Sequence, residues 1–131
     1  MFELQLTPRF METDALGHIN NTVIPVWFEE GRTPIFELFV PTLDLKRWNL
    51  ILAKISVDFV AQIYYGSPVL IQTSISKIGN SSFEVAQQVV QDDKVVAQGL
   101  AVMVHFDYEH QRAAPIPTDI RTKMTEHLQL A

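Results

Sequence analysis

The sequence predicts an α+β fold in which an antiparallel sheet lies against one interrupted helix. Three observations carry that prediction. Apolar residues recur at helical spacing between Val23 and Leu38, the period changes to two after Trp48, and the last of the alternating runs places Ala97, Gly99 and Ala101 on one side. Small side chains there leave room for a helix, and the stripe containing Trp27 and Gly31 is the long helix available to fill it.

Taken in order, Phe2, Leu4 and Leu6 alternate with polar residues as a short first strand. The segment Asp14-Ala15-Leu16-Gly17-His18-Ile19-Asn20-Asn21 then interrupts the pattern, and Asn20 or Asn21 caps a helix. Val23, Val26, Trp27, Gly31, Ile35 and Leu38 form its expected buried stripe, with Gly31 letting the sheet approach closely. Pro25 is tolerated in or near the first turn. Pro34 removes a backbone donor further along, so Thr33-Pro34 reads as a restart and the helix as two pieces.

Beyond Trp48, Ala53, Ile55, Val57 and Phe59 alternate with Lys54, Ser56 and Asp58, as a strand with one buried and one wetter face requires. Turn signals at Tyr65-Gly66-Ser67-Pro68, Gly79-Asn80 and Asp92-Asp93 separate three further runs, beginning at Val69, Ser82 and Val95. The last is apolar on both faces and reads as a central strand covered on two sides. A polar tail from Asp107 and a terminal helix from Asp119 to Leu130 complete the expected order.

The chain of 131 residues is the size of one domain, expected to span 1–131, with 47% apolar and 19% charged residues. No stretch is apolar for the length of a bilayer crossing, and the N-terminus lacks an export signal, so cytoplasmic residence without membrane association is expected. There is no cysteine, which excludes disulfides, thiolate metal sites and a cysteine nucleophile. A net charge of −5 with scattered Lys and Arg argues against a nucleic-acid partner. His105, His110 and His127 have no ligand spacing with His18, so neither metal nor cofactor is expected.

Chemistry concentrates in the segment from Asp14. Gly17 permits a sharp path from extended chain to helix start, where unpaired amides are available. A thioester carbonyl over the Asn21 amide would be polarised, while Asp14 attacks the carbonyl carbon or takes a proton from water. A thioester has a good leaving group, so this small apparatus suffices. The bland reading of Asp14 is a turn or capping residue. Glu29 and Glu30 are competing carboxylates whose bland role is surface charge, Glu29 pairing with Arg32 three residues on.

The Asp14–Asn21 segment followed by Trp27-Phe28-Glu29-Glu30-Gly31-Arg32 resembles the D-x-x-G-H-x-N-N and aromatic-x-E-x-x-R pattern of the 4-hydroxybenzoyl-CoA thioesterase family, particularly its acyl-CoA thioesterase branch. The resemblance continues through Val57-Asp58-Phe59, Gly66-Ser67-Pro68, Gly79-Asn80-Ser81-Ser82 and the last strand. It implies a hotdog fold, five antiparallel strands wrapped around a long helix, in dimers commonly paired into tetramers with the acyl site between two subunits. It also implies Asp14 as the catalytic carboxylate, the Asn21 amide as the carbonyl-polarising group, and Gly17, His18 and Asn20 as loop or substrate-binding residues.

The expected partner is an acyl-CoA, with an acyl carrier protein thioester as the alternative carrier. Ile24 stands where the family often has Tyr, which favours an apolar acyl pocket. Ser81 and Ser82 are candidates for the pantetheine arm, or ordinary turn residues; Lys54, Lys77 and Arg112 are candidates for the CoA phosphates, or solvated charges. Two other functions stay open at this point: enoyl-CoA hydration through Asp14 and His18, and a noncatalytic acyl-binding or assembly domain.

Overall fold

The computed structural model describes residues 1–129 and contains strands β1 (Phe2–Leu6), β2 (Leu50–Phe59), β3 (Val69–Ile78), β4 (Ser82–Gln91), β5 (Lys94–Asp107) and β6 (Arg112–Ala113). Helices are α1 (Ile24–Gly31), α2 (Thr33–Phe39) and α3 (Thr118–Thr125). The strands form one antiparallel sheet in the order β1-β3-β4-β5-β2, and the short β6 extends β5. This curled sheet with a helix on its inner face is the hotdog arrangement. The expected terminal helix stops at Thr125; Leu130 lies outside the described residues.

The helix lies unusually close to the sheet, and two glycines make that possible. A Cβ on Gly31 would come within 2.7 Å of Ile71 Cγ2, and one on Gly99 within 2.7 Å of Phe28 Cε2. Ala97 and Ala101 flank Gly99 and are fully buried beside the helix. Both ends of the helix then seat large side chains, Ile24, Trp27 and Phe28 in one apolar cluster, Ile35 and Phe39 in another.

Between those clusters the chain breaks where Pro34 predicts a break, with Arg32 as the joint. The sheet satisfies carbonyls at the break: Thr73 Oγ1 donates to Gly31 O at 3.2 Å and Gln87 Nε2 to Phe28 O at 2.8 Å. Arg32 turns inward, only 2% exposed, and donates from Nη1 to Gln87 Oε1 at 3.1 Å. The expected Glu29–Arg32 pair is therefore absent among the described residues: Glu29 points to solvent while Arg32 serves the buried network.

Three further expectations change. The buried helix stripe is Ile24, Trp27, Phe28, Gly31, Ile35 and Phe39, whereas Val26 is 58% exposed and Leu38 half-buried. A 3-10 turn over Asn21–Val23 precedes α1 and shifts its phase. Strand β5 lies second from the edge rather than at the centre, and Gln98 and Leu100 on its outer side are exposed. Strand β2 lacks the expected buried face: it is an edge strand with a bulge near Ala53, its burial does not alternate, and Ile55 and Phe59 stay 40% and 54% exposed.

Gly99→Ala is expected to cost about 1–3 kcal/mol, because the new methyl meets the buried Phe28 ring and has no space to displace it. Chemical denaturation reads this directly; an unchanged midpoint would contradict the close helix–sheet contact.

Candidate active site

The loop between β1 and α1 folds back as a small hairpin, with the Asp14 amide donating to His18 O at 2.7 Å and a bridge between Thr13 and Ile19. Gly17 sits at φ +80°, a conformation that side chains resist, so the turn needs glycine there. The Ile19 amide then bonds Ile63 O at 2.7 Å, and His18 bridges to Tyr64 with their rings edge-on at 5.2 Å. Gln91, buried at the end of β4, holds the Tyr64 segment from below by accepting its amide and donating to its carbonyl, each at 2.9 Å.

Asp14 is half-buried at the head of this hairpin. Its Oδ1 accepts from the Leu16 amide at 2.7 Å and the His18 amide at 3.1 Å, while no hydrogen bond reaches Oδ2 among the described residues. The Leu16 amide foremost, and behind it the His18 amide and imidazole, hold the carboxyl below its ordinary range against the opposing effect of partial burial. The result is a carboxylate ionised at neutral pH with one oxygen free. The His18 imidazole makes no hydrogen bond to that carboxylate among the described residues; it packs on Tyr64 instead.

Asn20 is the helix cap: its Oδ1 accepts from the Thr22 amide at 2.9 Å, and its own amide donates to Glu12 O at 2.8 Å. The amide of the exposed Asn21 follows at the first position of the turn and has no acceptor among the described residues. It borders a cavity of about 430 Å³ lined by Ile19, Ile24, Phe59, Val60 and Ile63. The free Asn21 amide thus opens on this hollow, suited to polarising a carbonyl, and the free Asp14 oxygen lies on the hairpin that leads into the same turn.

Ser81 and Ser82 are not brought to this place within one chain. They begin β4, while the Asp14 hairpin rests against the segment that Gln91 holds at the other end of that strand, roughly 30 Å away at ~3.3 Å per residue. The Ser81 carbonyl accepts from the His105 amide at 2.8 Å. Glu29 and Glu30 lie on the exposed side of α1, lining a separate cavity of about 540 Å³ with Val26, Phe36, Trp48 and Leu52. A trio of Asp107, Glu109 and His110 on the β5–β6 turn has ligand atoms within 4.8 Å of one another, but Asp107 is occupied by the Glu109 and His110 amides.

With this architecture in view, residues 8–124 match the model of the thioesterase-like superfamily, and the chain belongs to that superfamily. It is a thioester hydrolase. A predicted thioesterase from Bacillus stearothermophilus is 46% identical, superposes with a TM-score of 0.97, and is matched over 99% of this chain and 98% of that one. A thioesterase from Thermus thermophilus, solved with coenzyme A and Zn, is 28% identical with a TM-score of 0.84 over 94% and 96% of the two chains. An uncharacterised Bacillus subtilis (strain 168) protein, YsmA, is 30% identical over 78 residues, 60% of this chain and 53% of that protein. This chain therefore matches about half the length of that relative.

One carboxylate at the site escapes a reading of the sequence. Glu12 is only 7% exposed; its Oε1 accepts from the Arg9 amide at 2.7 Å and its Oε2 from the Trp27 indole at 3.0 Å, with the Arg9 guanidinium 3.5 Å away. It pins the start of the Asp14 hairpin to the first turns of α1. The one signal in the chain is a buried-stripe Trp needing an acceptor for its N–H, and nothing in the spacing names Glu12 as that acceptor.

Glu12→Gln replaces an acceptor-only carboxylate by a group whose NH₂ must face a donor. A loss of about 1–3 kcal/mol in stability is expected, with faster hydrogen exchange over residues 13–20. Unchanged stability together with unchanged exchange would show that the clamp does not hold the loop.

Proposed function

We propose that this single-domain hydrolase cleaves acyl-CoA thioesters to a carboxylic acid and free CoA, with Asp14 as the catalytic carboxylate and the Asn21 amide as the oxyanion donor. The observation that carries the reading is the free, charged Asp14 Oδ2 on the hairpin that runs into the helix start, together with the free Asn21 amide that borders the cavity there. The coenzyme A in the Thermus thermophilus thioesterase supports CoA as the carrier. The narrower likeness to 4-hydroxybenzoyl-CoA thioesterases, and cytoplasmic residence, belong to the same reading.

In the proposed reaction the thioester carbonyl sits over the Asn21 amide, so negative charge developing on its oxygen meets a preset donor. Asp14 Oδ2 either attacks the carbonyl carbon, giving an anhydride that water opens, or deprotonates a water that attacks it; the CoA thiolate leaves in both cases. The two amides on Oδ1 weaken Asp14 as a base but guarantee its charge. A thioester tolerates that trade because its leaving group needs no protonation. Gly17 and His18 shape the loop, Asn20 caps the turn, and Ile24, fully buried behind the cavity, keeps the acyl end apolar.

A homodimer completes the reading. The inner side of β2 and the cavity beside it stay open in one chain, although their residues are apolar. Tetramer formation by pairing of dimers follows the family resemblance.

Asp14→Asn is expected to lower kcat by on the order of 10² to 10⁴ while acyl-CoA still binds. Thiol release from short, long and aromatic acyl-CoAs measures it, and near-parental turnover would move the assignment to Glu29 or Glu30. Because its neighbours hold the Asp14 carboxyl below its ordinary value, the active carboxylate persists down to acid pH and is lost only as pH falls through that lowered value. The acid limb of kcat/KM should therefore lie below about pH 4, the ordinary carboxylate range. A limb near pH 6 would point to another group.

A further inference from the structure

One charge at the joint between α1 and α2 has no counterpart. Arg32 is only 2% exposed, yet it takes part in neither ion pair found among the described residues, that of Arg9 with Glu12 and that of His110 with Asp107. Its side chain makes one hydrogen bond there, from Nη1 to Gln87 Oε1, and Nε is buried without a partner. Burial works against the charge of the guanidinium, and Glu29 offsets only part of that without pairing with it. A buried cation that no anion answers is a costly thing for a fold to keep, so it calls for an occupant.

The way the guanidinium is engaged says which occupant fits. Gln87 takes Nη1, the nitrogen on the Cδ side of the group, and leaves the opposite edge, where the N–H of Nε and one N–H of Nη2 run parallel. That edge is the fork a carboxylate meets with both oxygens. Gln87 is not free to turn and fill it, since its Nε2 already donates to Phe28 O at 2.8 Å and to Thr73 Oγ1 at 3.0 Å.

Arg32 belongs to the lining of the cavity of about 540 Å³, a volume suited to a small molecule. The rest of that lining is largely apolar: Val26 on α1, Phe36 on α2, Trp48 just before β2, Leu52 on β2 and Met103 on β5. The Phe36 and Trp48 rings meet edge-on at 5.2 Å. Glu29 and Glu30 also line it, and both are exposed. They repel a bare inorganic anion, so charge alone does not draw a ligand in. An apolar body does, and the fork then receives its carboxylate.

We infer that this cavity is a carboxylate site, in which Arg32 binds the carboxylate of an apolar acid whose hydrocarbon body lies against Phe36, Trp48 and Leu52. A thioester hydrolase meets that chemistry in two forms: the free carboxylic acid it releases, and an acyl group that carries a second carboxylate at its far end. The link to the reaction rests on the acyl-CoA reading, whereas the binding itself does not.

Calorimetric titration of the full chain with octanoate, and with octanol as the same body without the charge, reads the binding with no need for turnover. Octanoate is expected to bind on the order of tenfold tighter or more, the increment of a charge-assisted contact at both oxygens. Arg32→Lys keeps a cation but lacks the fork, and should bring the two ligands to within a few-fold of each other. Val26→Trp, at an exposed position on the cavity wall, leaves Arg32 in place and should abolish the binding of both, which keeps the test decisive if the Arg32 variant does not fold. Equal affinity of the parent for octanoate and octanol, or octanoate binding that Val26→Trp leaves intact, overturns the inference. Steady-state kinetics then separates the two sources. Inhibition of octanoyl-CoA turnover by octanoate but not by octanol, lost in Arg32→Lys, assigns the released acid. A kcat/KM for suberyl-CoA above that for octanoyl-CoA, lost in the same variant, assigns the far end of the acyl group. Turnover that shows neither effect overturns the link to the reaction. A parent protein that binds octanoate through Arg32 yet hydrolyses neither thioester keeps the carboxylate site and removes the acyl-CoA reading instead.

Discussion

The closeness of the helix to the sheet is the constraint on which the rest of the molecule depends. Wherever a helix carries an ordinary side chain against a sheet, the two stand off by the thickness of that chain. Here Gly31 removes it from the helix side and Gly99 from the sheet side, at two different places along α1. The helix is thereby held both at its Gly31 end, against β3 and β4, and at Phe28, against β5. Its start cannot drift, and the Asn21 amide is carried on that start. The same closeness lets Thr73 donate to Gly31 O beside the break and Gln87 donate to Phe28 O, which also accepts the Arg32 amide. In this buried polar layer the Gly31 and Phe28 carbonyls have side-chain donors, while Arg32 Nε has no hydrogen-bond partner among the described residues.

Two carboxylates stand two residues apart in the loop and are used differently because their surroundings differ. Glu12 faces inward and has both oxygens engaged, one by a backbone amide and one by the Trp27 indole. Asp14 is half-buried at the head of the hairpin, with one oxygen engaged by two amides and the other free of hydrogen bonds among the described residues. In the proposed reaction the first fixes position and the second does the chemistry. Hydrolysis of a thioester asks little more than a charged oxygen, a donor for the oxyanion and an apolar hollow that keeps both in place. On the proposed reading, the division of labour between Glu12 and Asp14 supplies the charged oxygen and holds the loop that carries it.

Much of this is legible in the residues, and the parts that are not share a cause. Alternation of Phe2, Leu4 and Leu6, the break at Pro34, the close approach at Gly31 and the small residues of β5 are all local signals, and each corresponds to an observed feature. The phase of the helix stripe escapes because it depends on how many residues the 3-10 turn consumes before α1 begins, which apolar spacing does not record. Arg32 reads locally as half of a surface pair; its partner Gln87 lies 55 residues on. Glu12 bonds a side chain 15 residues away, and Gln91 holds a segment 27 residues before it. Local spacing cannot report such contacts. The pattern of β2 shows a further limit, since alternation marks a face that suits burial without saying whether the covering surface belongs to the same chain.

The central claim is that the helix-start amide at Asn21 polarises the thioester that Asp14 attacks. The most direct measurement is the carbonyl stretching frequency of an acyl-CoA bound to the slowly reacting Asp14→Asn protein, taken by difference vibrational spectroscopy with a ¹³C label at the thioester carbon. A carbonyl held by the amide should absorb at lower frequency than the same thioester in water, as a stronger fixed donor weakens the C=O bond. A bound thioester whose carbonyl absorbs at or above its frequency in water would contradict the account, because the substrate would then lie in the cavity without meeting the group that is meant to activate it.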